Sequence, residues 1–539
     1  MLKRVLFLTP LFVVLCGTSA HENRTATIAL QEKIKTIVVV YAENRSFDTL
    51  YGLFPGANGI PGLNPTAKGS YIAQTDRDPS NTTLPTLPQT WGGVTAPGQQ
   101  PVITQAHSAG LPNRPIALDT AFHVPLSQAV ITRDVSHDFF ENQMQIDSGK
   151  NDKFAAYSDA GGLTMGYYEG SQMAMWQIAR QFVLADNFFM GTFGGSYINH
   201  QYLICACAPE YPDADTAAAQ PPIAALERDA AGNYLPRLQI APSSPRSALD
   251  GPPVYAHDGT VAPKNYFGDG KFYTVSTMQP PYQPSFIKPA ANDATRLYAD
   301  PRRSLTLPAQ TQKNIGDLLT AKGVTWRWYA GAWNTTLATA IGDRKFSPAG
   351  PGATPNFQMH HQPFNYYANL DPIVHAAERK EHLKDYEDLL HDLRAGTLPQ
   401  VAFYKPQGSL NQHPGYTSVK QGDDHIAQLI GELQKSPQWQ HMLVVVTYDE
   451  NGGYWDHVAP PKADKLGPGT RIPAIIVSPF AKRGFIDHTP YDTASILRLI
   501  TRLYALEPLP GLALRDRELK KNGEPPLGDL TNALDLLSQ

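Results

Sequence analysis

The sequence predicts a doubly wound α/β fold around a mostly parallel central sheet. Three features carry that expectation. Ile37-Val38-Val39-Val40-Tyr41 is apolar without alternation, the pattern of a strand covered on both faces. Met442-Leu443-Val444-Val445-Val446 repeats the pattern toward the far end of the chain. Between them, β-branched and aromatic runs alternate with stretches of helical period, as βαβ units require.

The elements follow in order. Ile34–Tyr41 opens the sheet. Met173–Gln181, with apolar residues spaced near a helical turn, leads into the strand Phe182–Asp186. The helix Asn314–Lys322 precedes the strand Val324–Tyr329, and the helix His382–Leu393 precedes Val401–Tyr404. The helix Ile426–Gln434 leads to Met442–Tyr448; the strand Ile472–Val477 and the helix Ser495–Leu506 close the alternation. Two stretches break it. Residues 208–312 turn to Pro, Ala, Gly and Ser, with Pro221-Pro222, Pro252-Pro253 and Pro280-Pro281, and residues 55–115 are similarly loop-rich. Loops of this length in a compact protein usually serve function. Both read as insertions over the sheet's active edge that form a cap. No internal repeat or low-complexity run stands out.

Composition narrows the class. A chain of 539 residues, 42% apolar and 17% charged, can bury a large core. Lys3-Arg4, the apolar run Val5 to Leu15 and the small residues Gly17-Thr18-Ser19-Ala20 have the anatomy of a secretory signal peptide over residues 1–20. The expected mature protein is then a single α/β domain over 21–539, exported to a periplasmic or extracellular compartment. The formal charge of -4 falls to about -6 once Lys3 and Arg4 are removed. Without a basic excess, nothing argues for nucleic acid as a partner. No stretch is apolar for long enough to span a bilayer, and no pattern speaks to oligomeric state. Cys205 and Cys207 remain after cleavage; in an exported protein they form a tight disulfide or stay buried thiols.

The chemistry concentrates where apolar runs stop. Glu43-Asn44-Arg45-Ser46-Phe47-Asp48 follows the first strand, and Asp449-Glu450-Asn451-Gly452-Gly453 follows the strand ending at Tyr448. Ligands bind at the carboxyl ends of strands in such sheets. Two buried strands that each deliver adjacent oxygen ligands suggest one shared metal centre. Asn44-Arg45-Ser46 is also a glycosylation sequon, but it follows a buried strand too closely to carry a surface sugar. In Gly191-Thr192-Phe193-Gly194-Gly195-Ser196 a glycine turn places Ser196 near a helix N-terminus, where the dipole favours an anion. Capping is the commoner job for such a serine. His413, in Asn411-Gln412-His413-Pro414-Gly415, lies in a loop after the strand ending at Tyr404. His360-His361 and Asp456-His457 are further candidates.

Taken together these motifs resemble the phosphoesterase family of bacterial acid phosphatases and phospholipases C, related to the alkaline phosphatase superfamily. The resemblance rests on Glu43–Asp48, Ser136-His137, Gly149–Phe154, Gly194-Gly195-Ser196, Asn411–Gly415 and Thr447–Pro461, in that order. Leu111–Pro115, Phe193–Gln201 and Thr277–Ser285 are most similar to the respiratory-burst-inhibiting acid phosphatase branch. The resemblance implies an alkaline phosphatase-like fold. It also implies one divalent metal (Mg, Mn, Ca, Zn or Fe) held by Glu43, Asn44, Asp449 and Glu450, with Ser196 bound to it as nucleophile.

By the same resemblance, Asn44, His137, His361 and His413 hold the phosphoryl oxygens. His123 competes with His137, and His360 with His361. Asp456 and His457 brace the Asp449 loop. The implied activity is that of a secreted acid phosphatase hydrolysing small phosphomonoesters through a phosphoserine, with histidines protonated at mildly acidic pH. The alternative is a phospholipase C cleaving phosphatidylcholine-type diesters with the same nucleophile. A non-catalytic metal- or carbohydrate-binding protein is disfavoured, because nucleophile and ligands occur together.

Overall fold

Eight strands form the central sheet, and one of them runs against the rest. The computed structural model describes residues 24–339 and 356–537; the predicted signal peptide at 1–20 lies outside them. The strands are β1 (Thr36–Ala42), β2 (Val183–Ala185), β3 (Trp326–Ala330), β4 (Leu383–Lys384), β5 (Val401–Lys405), β6 (Met442–Tyr448), β7 (Ala474–Val477) and β8 (Phe485–Asp487). Their order across the sheet is β8-β2-β7-β6-β1-β5-β3-β4. β7 pairs antiparallel with both neighbours, and every other pairing is parallel. Every residue of β1 and β6 is buried, as non-alternating apolar runs require when helices cover both faces.

The predicted strands are all present to within a few residues, and so are four of the five helices: Ala174–Gln181, Ile315–Ala321, Val419–Leu433 and Thr493–Tyr504. Val419–Leu433 starts earlier than the periodicity suggested, because the Ser418 side chain accepts from the Gln421 N–H and caps it. The predicted helix His382–Leu393 is a correction. One helix ends at His382, Leu383–Lys384 pairs with the sheet edge as β4, and the Asp385 carboxylate caps a second helix, Tyr386–Ala395. A two-residue edge strand is too short to leave a period in the sequence.

One contiguous apolar cluster runs from Leu30 to Leu536. Residues 55–115 and 208–312 add no strand to the central sheet; the latter carries its own hairpin, Leu226–Arg228 with Tyr234–Leu238. The Tyr197 hydroxyl lies 2.8 Å from Thr274 Oγ1, and Ser276 Oγ donates to Asp138 at 2.9 Å. Part of the 208–312 segment is thereby anchored beside Ser196. Cys205 and Cys207 are joined in a disulfide at the end of the Ser196–Cys205 helix. Among the described residues, no helix is long and apolar enough to cross a membrane.

Candidate functional site

Sheet register places the chemistry. β6, β1 and β5 are adjacent and parallel, with Ala42 opposite Tyr448 and Val40 opposite Tyr404. Asp449, Glu43 and Lys405 therefore emerge side by side at the strands' carboxyl ends. Lys405 Nζ lies 2.9 Å from Glu43 Oε1 and 3.0 Å from Asp449 Oδ2, so these two oxygens are no farther apart than the sum of those distances. Asn44 follows Glu43 with φ at +59°, a left-handed conformation that an asparagine tolerates better than most residues. Its N–H donates to Asp449 Oδ1 at 3.2 Å, and the Glu450 N–H donates to the same oxygen at 2.9 Å. The two strand-end loops are packed so closely that a Cβ on Gly452 would sit 2.5 Å from Asn44 Cβ. Only glycine fits there.

Ser196 reaches the same place from another element. Gly194 takes φ +87°, and a Cβ on it would lie 2.6 Å from Phe139 Cα, so the turn needs glycine. Asn199 staples this turn, accepting from the Thr192 N–H at 3.0 Å and donating to the Gly194 carbonyl at 3.1 Å. The cap of the Ser196–Cys205 helix is Gly195, and Ser196 is its first residue. The capping expectation is thus corrected. Instead Ser196 Oγ donates to Glu450 Oε1 at 2.8 Å, across 254 residues of chain.

His137 Nε2 stands 3.3 Å from Glu450 Oε1 and 3.3 Å from Asn44 Nδ2, whereas His123 is exposed. Of the paired histidines, His361 touches Glu43, with Nε2 2.5 Å from Oε1. His360 lines the neighbouring cavity. His413 Nε2 lies 3.6 Å from Glu43 Oε2. Every residue predicted for the catalytic and metal sets thus falls in one connected cluster.

A cavity of about 250 Å³ opens onto this cluster, lined by Glu43, His137, Ser196, His360 and His413 at its base and by Asp134, Asp138 and Val275–Thr277 farther out. Glu43 Oε1 and Oε2, Asn44 Oδ1 and Glu450 Oε2 are buried without a hydrogen-bond partner. Buried oxygens are rarely left so. A hard divalent cation satisfies oxygens of this kind, so the donor set fits one. Burial alone would raise the Glu43 carboxyl, yet Lys405, His361 and His413 hold it well below the ordinary carboxylate range. Burial and the adjacent Asp449 push Glu450 well above that range.

The histidines divide. Burial opposes charge on His137, but Glu450 and Asp134 carry it well above its ordinary value. Burial draws His360 and His361 down. That split corrects the expectation of a uniformly protonated set.

Sequence comparison then decides the family. The profile of the Phosphoesterase family matches residues 34–507. The chain belongs to the Phosphoesterase family. It is a hydrolase acting on phosphoester bonds. It is 25% identical over 221 residues to a non-hemolytic phospholipase C of Pseudomonas aeruginosa, covering 35% of this chain and 29% of that one. It is 28% identical over 174 residues to phospholipase C B of Mycobacterium tuberculosis, covering 28% and 32%. The matches thus span about a third of these relatives' length. Among solved structures, a protein in the alkaline phosphatase superfamily from Vibrio parahaemolyticus matches with a TM-score of 0.21 at 14% identity, over 42% of this chain and 52% of that one.

Behind the cluster, this phosphoesterase holds a second set of buried charges. Arg471 Nε lies 3.0 Å from Asp456 and its Nη2 3.0 Å from Asp48, while Nη1 donates to the Asn58 and Asp186 carbonyls at 2.7 Å. His457 Nδ1 is 2.7 Å from Asp48. Asp48, Asp456 and His457 offer ligand atoms within 4.8 Å of one another, the spacing of a metal site. The Arg471 guanidinium already pairs both carboxylates. Asp456 and His457 touch this network rather than Glu43 or Asp449, joining the loop after β6 to the short helix Phe47–Tyr51.

Replacing Arg471 with Met strands two buried carboxylates, and a loss of about 3–5 kcal/mol is expected. Chemical denaturation checks it; an unchanged midpoint would show the network to be dispensable.

The sequence reading missed Lys405, Arg45 and Arg471. Lys405 ends an apolar run just where Glu43 and Asp449 follow theirs, so the same criterion would have found it. Arg45 is buried and donates to the Gln412 carbonyl at 2.9 Å, tying the loop after β1 to the one carrying His413. Its partner is far off in sequence, and no local signal marks it.

Proposed function

We propose that this phosphoesterase is an exported, metal-dependent phosphomonoesterase that works through a phosphoserine on Ser196. The observation that carries the reading is the Ser196 Oγ to Glu450 Oε1 hydrogen bond at the base of a polar cavity. Glu43, Asn44 and Glu450, with Asp449 fixing their loops, would hold one divalent ion, which supplies Lewis-acid stabilisation of phosphoryl charge. Ser196 Oγ attacks phosphorus and passes its proton to the Glu450 carboxylate. Burial and Asp449 make that group a stronger base than an ordinary carboxylate. The bond from phosphorus to the alcohol oxygen breaks as the new bond forms. His137, held protonated beside Glu450, donates the proton that the departing alcohol needs. Water then hydrolyses the phosphoserine.

His413, on the cavity wall, orients the phosphoryl oxygens, and His361 orients Glu43. Acid activation therefore rests on His137 rather than on all the histidines. The disulfide between Cys205 and Cys207 supports an oxidising compartment, and so export.

The monoester reading is supported by the cavity's size and lining. Substrate pockets for larger molecules usually exceed ~300 Å³, and the aromatic residues lining this one besides histidine are Tyr197 and Tyr416. Two tyrosines do not make the aromatic cage that a choline headgroup selects. We read the 208–312 segment, through Val275–Thr277, as the cap that limits the mouth. The second reading, a phospholipase C, is favoured by the relatives' names.

One preparation separates the two. Turnover of p-nitrophenyl phosphate is expected to exceed that of p-nitrophenylphosphorylcholine by about tenfold or more, a transition-state difference of about 1.4 kcal/mol. A preference for the choline diester overturns the monoester reading and installs the other.

A further inference from the structure

Lys405 is among the most thoroughly buried side chains of the molecule, and it lies inside the candidate centre rather than beside it. Its ammonium faces three acceptors: Glu43 Oε1 at 2.9 Å, Asp449 Oδ2 at 3.0 Å and the Ala42 carbonyl at 3.3 Å. An ammonium has three N–H donors, so these use it fully. Its Nζ also lies 5.3 Å from the centre of the Tyr41 ring, whose face favours a cation. The side chain is wholly excluded from solvent. A buried lysine so held is a permanent positive charge at the carboxylate cluster.

The oxygens around it fall into two sets. Asp449 is fully engaged, with Oδ1 accepting from the Asn44 and Glu450 amides and Oδ2 facing Lys405. Glu43 Oε2, Asn44 Oδ1 and Glu450 Oε2 have no hydrogen-bond partner. The second set is open to one cation. A second ion would need Glu43 Oε1 and Asp449 Oδ2, which the ammonium holds. Charge points the same way: three buried carboxylates, Glu43, Asp449 and Glu450, are balanced by one lysine and one divalent ion. A second divalent ion would leave uncompensated positive charge in a site of low dielectric.

We propose that Lys405 is the resident cation of this centre and confines it to a single divalent ion. Its ammonium does the work of a second metal by holding Glu43 and Asp449 together. This inference rests on the metal-centre reading above, and it adds a positioning residue that no family motif marked.

The test counts ions. The full-length chain is stripped with a chelator, dialysed against excess Mn²⁺ and assayed by elemental mass spectrometry, with calorimetry for affinity. Wild type is expected to bind one ion per chain. Lys405→Ala frees Glu43 Oε1 and Asp449 Oδ2 and is expected to bind two, the added ion more weakly. Its thermal midpoint is expected to rise with Mn²⁺ by more than that of wild type, because the ion replaces a lost internal charge.

A variant that still binds one ion makes Lys405 a structural ion-pair partner and overturns the proposal, leaving the metal centre standing. A variant that stays unfolded at millimolar Mn²⁺ also counts against it, since a divalent ion must be able to stand in for the ammonium. Two ions on wild type overturn it outright, whatever the variant does. No ion on wild type removes the metal centre itself, and the role of Lys405 with it.

Discussion

Replacing Ser196 with alanine is expected to abolish turnover of any phosphoester while leaving the fold intact. The loss should be on the order of 10⁴-fold or more in kcat, since removing a nucleophile removes the covalent route altogether. The cost to stability should stay near 1 kcal/mol, the worth of one hydrogen bond. No helix cap is lost, because Gly195 is the cap and Ser196 already lies inside the helix. Its hydroxyl is spent on Glu450 Oε1, which keeps His137 Nε2 at 3.3 Å as a neighbour. Kinetics of the variant, paired with a thermal melt, check both halves. Quenching wild type during turnover should also yield a phosphorylated peptide containing Ser196. An alanine variant that turns over at a rate close to wild type would show that water attacks phosphorus directly and that Ser196 only orients Glu450.

The reach of the sequence can be judged from these same residues. Glu43 and Asp449 were legible because each breaks a non-alternating apolar run, and burial of both strand faces leaves the strand's end as the natural place for polar chemistry. The parallel register then brings the two together without further information. Ser196 was legible as a helix start but not as a capping or reacting group, because its deciding partner, Glu450, is 254 residues away. The choice between His360 and His361 turned on the position of Glu43, which no local pattern contains. β4 escaped notice because two residues at a sheet edge carry no period, and Asp385 resets the helix immediately after them. Lys405 was overlooked for a different reason. A lysine beside Pro406 at a strand end reads as the start of a surface loop, and lysine is almost never fully buried unless it is paired. Its partners lie on two other strands.

Asp449→Asn is expected to lose bound metal and activity together, although the substitution removes no volume. Asp449 Oδ1 accepts two backbone amides, from Asn44 and Glu450, and Oδ2 faces the Lys405 ammonium. An asparagine has one acceptor oxygen and one amino group at these two positions. If the oxygen keeps the backbone amides, the amino group meets Lys405 donor to donor. If it turns toward Lys405, the two loop amides lose their acceptor. Either way Asn44 and Glu450 lose their alignment and the cluster loses a negative charge. Altering groups that merely support a metal's ligands typically costs 10- to 100-fold in affinity, and the charge loss should bring this variant to about 100-fold or beyond.

Stripping the wild-type protein with a chelator should mimic the variant, with one difference. Adding back Mg²⁺, Mn²⁺, Ca²⁺, Zn²⁺ or Fe²⁺ in turn should restore wild-type activity with one or more of them, and should leave the variant inactive at the same concentrations. Metal content and p-nitrophenyl phosphate turnover, measured on the same samples, are expected to fall and recover in parallel. Full activity in wild-type protein shown to carry no metal would mean that Lys405 and His137 neutralise the phosphoryl charge unaided. The unpartnered oxygens of Glu43, Asn44 and Glu450 would then need another explanation.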